Sequence, residues 1–178
     1  MSDIREILKE VLFHCIDMQR LAETKNAGLL AFNGAIILSV SRYMLDTNLS
    51  VFLRAYFGFI TFCCVISIFL NIAAISARIK NKKLEPTLHK SENLLFFAEI
   101  ANFLPEIYLD RINTEYFENR EKITPYYLDL AKQIVINARI ALRKFELFNC
   151  AFKWSICAIT TPIGVLAFLI LFSDGKEK

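Results

Sequence analysis

Glycine and proline are scarce, with five and four residues in 178. That leaves little material for a flexible linker or a low-complexity tail, and no repeat at solenoid spacing is present. The two histidines, His14 and His89, lie far apart, and the five cysteines (Cys15, Cys63, Cys64, Cys150 and Cys157) include no C-x-x-C pair. No metal is therefore expected, and the cysteines read as free thiols in reduced or membrane-buried surroundings. The chain also lacks a phosphate-binding glycine loop, a serine or cysteine nucleophile with a plausible base, and a carboxylate pair outside solvated helix faces. These absences argue against a soluble enzyme. Net charge is only +3 without a dominant basic stripe, so a nucleic-acid polymer is not an expected partner.

Hydrophobic residues, in contrast, are abundant. They make up 55% of the chain, and the mean hydropathy is +0.40 despite 22% charged residues. Such a composition is reconciled by segregation into apolar blocks with charges between them. The expected fold is an all-α integral membrane protein with three transmembrane helices and a helical cytosolic region.

Residues 1–26 read as a cytosolic amphipathic helix. Ile4, Leu8, Val11, Cys15, Met18 and Ala22 keep the 4-3 spacing of one seam, while Glu6, Lys9, Glu10, Asp17 and Arg20 fall on the other faces. The segment is too long and too acidic to begin a signal peptide, so no cleavage is expected. Residues 27–77 read as a transmembrane hairpin with spans at about 27–45 and 55–77, each near the roughly 20 residues a bilayer core requires. Arg78, Lys80, Lys82 and Lys83 follow at once. Residues 78–150 form the helical cytosolic region, with breaks at Pro86 and Pro105 and an apolar patch (Leu94, Leu95, Phe96, Phe97, Ile100, Phe103) that needs a partner surface.

Thr124-Pro125 predicts a helix start, with Thr as N-cap and Pro at the first helical position. Tyr127, Ala131, Ile134, Ala138, Ala141, Phe145 and Phe148 then form a second 4-3 seam. A third span is expected at 151–172, with Trp154 as an interface anchor and Pro162 kinking it, before a short tail at 173–178. Thr160 and Thr161 are expected to bond back to their own helix. The loop 46–54 holds one basic residue and residues 78–150 hold twelve, so the N-terminus and central region are placed in the cytosol and the tail outside. Each seam helix runs towards a span and could be continuous with it. From residue 3 to 44 such a helix would be about 60 Å long.

Ala27, Ala31, Ala35 and Ser39 recur every four residues along the first span. Small residues at that spacing let backbones approach closely, either within the chain or in a homo-oligomer. Asn33 and Asn71 place amides at hydrocarbon depth, for inter-helix bonding or a conducting path. Glu23 and Lys25 read as an interfacial charge pair, with the lysine snorkelling. Lys132, Arg139 and Arg143, with Tyr126 and Tyr127, could supply cations and aromatic surface to a nucleotide, although a solvated helix face explains the charges equally well.

The order of motifs resembles the Pycsar effector transmembrane family. Ala22-Glu23-Thr24-Lys25-Asn26-Ala27, followed by Leu29-Leu30 and Asn33-Gly34, is similar to that family's A-D-x-K-A opening and N-G span. Leu94-Leu95-Phe96-Phe97 is similar to its L-F-F-G segment. Tyr126-Tyr127-Leu128-Asp129-Leu130-Ala131-Lys132-Gln133-Ile134 resembles its Y-x-x-D-L-x-x-Q-I helix, and Lys144-Phe145 stands at its Lys-Tyr. Glu23, Ala98 and Phe145 depart from the family's Asp, Gly and Tyr. The family motif residues here are thus Ala22, Glu23, Lys25, Asp129, Gln133 and Lys144.

The resemblance implies a multi-pass inner-membrane effector of abortive anti-phage defence that responds to cyclic CMP or cyclic UMP from a partner pyrimidine cyclase. No cofactor is implied beyond that activating ligand. The expected partners are the lipid membrane, the cyclic nucleotide and further copies of the chain. The alternatives are a non-catalytic membrane scaffold or a pore effector of another nucleotide-signalling system.

Overall fold

A computed structural model describes residues 3–45, 49–76, 93–118 and 121–173, with side chains through residue 160 in the last stretch. The basic cluster Arg78, Lys80, Lys82 and Lys83, the break at Pro86, the side chains of Thr161 and Pro162, and the tail from 174 lie outside this description. The described elements are all α-helices: α1 (Ile4–Met44), α2 (Val51–Ile75), α3 (Phe97–Ile100), α4 (Pro105–Phe117) and α5 (Pro125–Ser173). They form two units, Met1–Thr24 with Ser76–Glu146 and Lys25–Ile75 with Leu147–Lys178. Helices α1 and α5 each run unbroken and contribute residues to both.

The first unit has an apolar core. Ile4, Leu8, Val11 and Cys15 of α1 are buried, as their 4-3 spacing requires, against Tyr108, Leu109 and Ile112 of α4 and Leu130, Ala131, Ile134, Val135 and Ala138 of α5. The apolar patch finds its partner surface there. Leu94, Ile100 and Phe103 are buried in the same cluster, whereas Leu95 and Phe96 stay largely exposed. Tyr108 is fully buried, and its hydroxyl donates to the Leu94 carbonyl at 3.1 Å, which satisfies the one polar atom that its ring carries inward. Burial pushes its ionisation well above the ordinary tyrosine range.

Local chemistry sets the helix ends. Pro105 opens α4 at a position where its missing N–H is no loss. Glu118, left-handed at φ 51°, closes it with its N–H on the Asn113 carbonyl. Helix α5 starts at Pro125, with the N–H groups of Tyr127 and Leu128 on the Thr124 carbonyl at 3.1 and 3.3 Å.

In the second unit α1 and α2 are long and apolar enough to cross a membrane. Ile60, Cys63, Cys64 and Ala158 form a small core, with Ile36, Val40 and Phe57 packed against it. Trp154 is half-buried against that same cluster. Much apolar surface faces outward, including Phe52 at 72% and Phe69 at 68% exposure. An outer surface of this kind is stable in lipid and costly in water. Thr160 donates to the Ile156 carbonyl at 2.8 Å, bonding back to its own helix. None of the five cysteines forms a disulfide among the described residues.

Candidate functional site

Two constellations stand out, one in each unit. In the second, three helices meet through uncharged polar side chains. Asn33 of α1 donates from Nδ2 to Ser67 Oγ of α2 at 2.9 Å, and its Oδ1 accepts from Ser155 Oγ of α5 at 3.0 Å. Ser67 Oγ lies 2.9 Å from both the Ala151 carbonyl and Ser155 Oγ, and all three side chains are buried. Asn33 also donates to its own Leu29 carbonyl at 2.9 Å. The closed circuit satisfies its groups internally, as an apolar environment demands. Asn71 joins it less fully. Its Nδ2 donates to the Ser67 carbonyl at 2.9 Å, and its Oδ1, although buried, has no partner among the described residues.

Ser67 and Ser155 were not singled out from the sequence. For Ser67 a signal existed, since it lies four residues before Asn71 and so on the same helix face. Ser155 had none beyond being polar within an apolar run.

The small-residue face lies elsewhere. Ala27, Ala31, Ala35 and Ser39 are all exposed, and Ser39 donates to the Ala35 carbonyl of its own helix at 2.9 Å. Among the described residues this face is therefore not covered by the chain's own helices. The buried side of α1 at this level is set by Leu29 and Asn33, which point away from it.

In the first unit the pairing of Glu23 also differs from expectation. It forms an ion pair with Lys144 of α5, 121 positions along the chain, and Lys144 is buried. Lys25, which belongs to the second unit, lies over the Phe148 ring of that unit, 5.9 Å from its centroid. Glu23 and Lys144, two family motif residues distant in sequence, are thereby brought into contact. Of the other motif residues, Ala22 is fully buried, Asp129 holds Lys132 at 3.2 Å, and Gln133 is exposed.

The candidate nucleotide-contact residues have differing surroundings along α5. Arg139 donates from Nε to the Ala101 carbonyl at 2.9 Å and from Nη2 to the Phe103 carbonyl at 2.7 Å. Two of its nitrogens are thus committed to the fold, and burial lowers its pKa. Lys132 is taken by Asp129, Arg143 is exposed, and the Tyr126 and Tyr127 rings tilt against each other at 5.9 Å with Tyr127 turned to the core. The carbonyl partners of Arg139 belong to a distant loop, so nothing in the local sequence announces them.

Comparison with known proteins agrees with the motif order. Residues 7–171 match the Pycsar effector protein domain. The Pycsar effector protein RsPycTM of a Rhizobium species is 35% identical over 158 residues, spanning 85% of each chain. No solved structure matches the chain. With an apolar core in one unit, apolar helices with a lipid-suited surface in the other, and a family match over nearly the whole length, the chain belongs to the Pycsar effector protein family, an antiviral-defence family with transmembrane helices.

Proposed function

We propose that the protein is a signal-gated, non-enzymatic effector of anti-phage defence. A cyclic pyrimidine nucleotide, cyclic CMP or cyclic UMP, is made by a partner cyclase on infection and binds the first unit, and the liganded protein then impairs the inner membrane. The observation that carries this reading is the continuity of α1 and α5, each of which supplies residues to both units without a break. A ligand can switch a protein only by binding its two states unequally. One that favours a different packing of the first unit's seams acts on helices that also build the second.

In this reading the chain spans the membrane three times, with α5 as the third span. Its N-terminus and central region are cytosolic and its tail lies outside. The exposed face of Ala27, Ala31, Ala35 and Ser39 would meet further copies of the chain in a homo-oligomer.

Co-expression tests the function. Cells carrying the protein with an active pyrimidine cyclase should lose membrane potential before they die, while cells with a catalytically dead cyclase should grow. An intact membrane potential while both cyclic pyrimidine nucleotides accumulate refutes the reading and leaves a scaffold in its place. Topology is checked with reporter fusions. A reporter at the C-terminus should be active only outside the cytosol, and one near residue 120 only within it.

A further inference from the structure

The first unit contains a groove of about 640 Å³ beside its core, where Ile7 and Val11 form part of the lining. Its volume suits a small ligand. Glu10, Phe13, His14 and Asp17 of α1 line it together with Leu95 and Tyr116. Glu10, His14 and Asp17 follow 4-3 spacing and so share one helix face, spread over about 10 Å of its length. Phe13 is 64% exposed and Tyr116 47%, two aromatic rings left uncovered beside polar groups. Arg20 lies next to it, its Nη1 3.4 Å from Asp17 Oδ1.

We propose, resting on the signalling function above, that this groove receives the base of the activating nucleotide and selects a ring bearing an exocyclic amine, cytosine over uracil. The exposed aromatics supply stacking surface, to which any base can bind through its π-face. Discrimination comes from the carboxylates, which only accept hydrogen bonds. The N4 amine of cytosine donates to such an acceptor. Uracil presents a carbonyl oxygen at the same position, and two acceptors facing each other repel. The phosphodiester then stays at the open mouth, where Arg20, only one of whose guanidinium nitrogens is engaged by Asp17 among the described residues, has further donors for it.

Titration of the full-length protein in detergent with cyclic CMP and cyclic UMP tests this directly. Wild type should bind cyclic CMP at least tenfold more tightly than cyclic UMP. Glu10→Gln and Asp17→Asn each introduce an amide donor, and at least one of them should reduce that preference to about threefold or less. Phe13→Ala should weaken both nucleotides by roughly tenfold, and Arg20→Gln should weaken both equally without altering the preference. All four side chains are exposed, so the variants should keep the wild-type helical circular dichroism. Cyclic CMP binding that is unchanged in all four variants, or no preference in wild type, overturns the assignment while leaving the signalling function standing. If wild type binds neither nucleotide and neither activates it in cells, the signalling function falls and the groove assignment with it.

Discussion

Replacing Glu23 by alanine should destabilise the protein more than replacing its partner Lys144 by methionine. The two ends of the pair are unequal, since the Lys144 side chain is 7% exposed and that of Glu23 54%. Two unit charges 4 Å apart attract by about 4 kcal/mol at an effective dielectric of 20. Water around Glu23 screens part of this, and fully exposed pairs yield about 1 kcal/mol or less. At the other limit, removing one partner from a fully buried pair costs about 3–5 kcal/mol. Glu23→Ala strands an ammonium in a site it cannot leave, so its cost should fall between those limits, at about 2–3 kcal/mol. Lys144→Met removes the charge, keeps the aliphatic stem and lets the carboxylate turn to water, for about 1 kcal/mol or less. The double variant should be more stable than Glu23→Ala alone, with a coupling of about 1–2 kcal/mol. Unfolding of the detergent-solubilised protein in rising denaturant, followed by far-UV circular dichroism, reads all four corners of the cycle. Equal losses for the single variants, or a larger loss for Lys144→Met, would refute the reasoning.

Ala138 is fully buried in the first core, so Ala138→Glu should abolish cyclase-dependent toxicity and make the first unit protease-sensitive while membrane insertion persists. Asn33→Leu breaks bonds to two other helices and should cost about 1–2 kcal/mol in the same unfolding assay. Asn71→Leu should cost less, and the reverse order would remove Asn33 from the centre of the cluster. Burial pushes the Cys15 thiol from 9.0 up to about 11. Because the folded value is the raised one, its contribution to stability is complete below pH 9 and is lost as pH rises to 11, by about 3 kcal/mol. The stability difference between wild type and Cys15→Ala should shrink across that interval. A constant difference would show that the thiol does not titrate there.

Periodicity made much of the first unit legible. Ile4, Leu8, Val11, Cys15 and Ala22 are buried because a 3.6-residue repeat fixes which side of a helix faces inward, and that repeat is written in the residue types. The start of α5 was legible for a similar reason, since Thr124-Pro125 is local chemistry. Partner choice across helices was not. Lys25 stands two residues from Glu23, yet Lys144 takes the carboxylate, because only tertiary packing brings α5 alongside. The cations of α5 looked available to a ligand because carbonyl partners such as those of Ala101 and Phe103 leave no mark in composition. The spacing of Ala27, Ala31, Ala35 and Ser39 revealed a face able to pack closely but could not name its occupant, and α1 turns Asn33 inward instead. In the groove, Glu10 and Asp17 read as ordinary solvated positions, because a concavity between helices has no one-dimensional signature.

The two carbonyls held by Arg139 bear on how α5 can move. They lie two residues apart in the corner between α3 and α4, and one planar guanidinium grips both. A shift of α5 by one residue carries it about 1.5 Å along its axis and turns it by about 100°. Both bonds would then be lost together, because a rigid fork cannot follow one carbonyl and release the other. A small displacement strains both bonds, and a larger one breaks them together, leaving only the packing of Leu130, Ala131, Ile134, Val135 and Ala138 to resist it. If α5 moves as the proposed function requires, this paired contact would act as a detent, setting a threshold for that motion in place of gradual compliance.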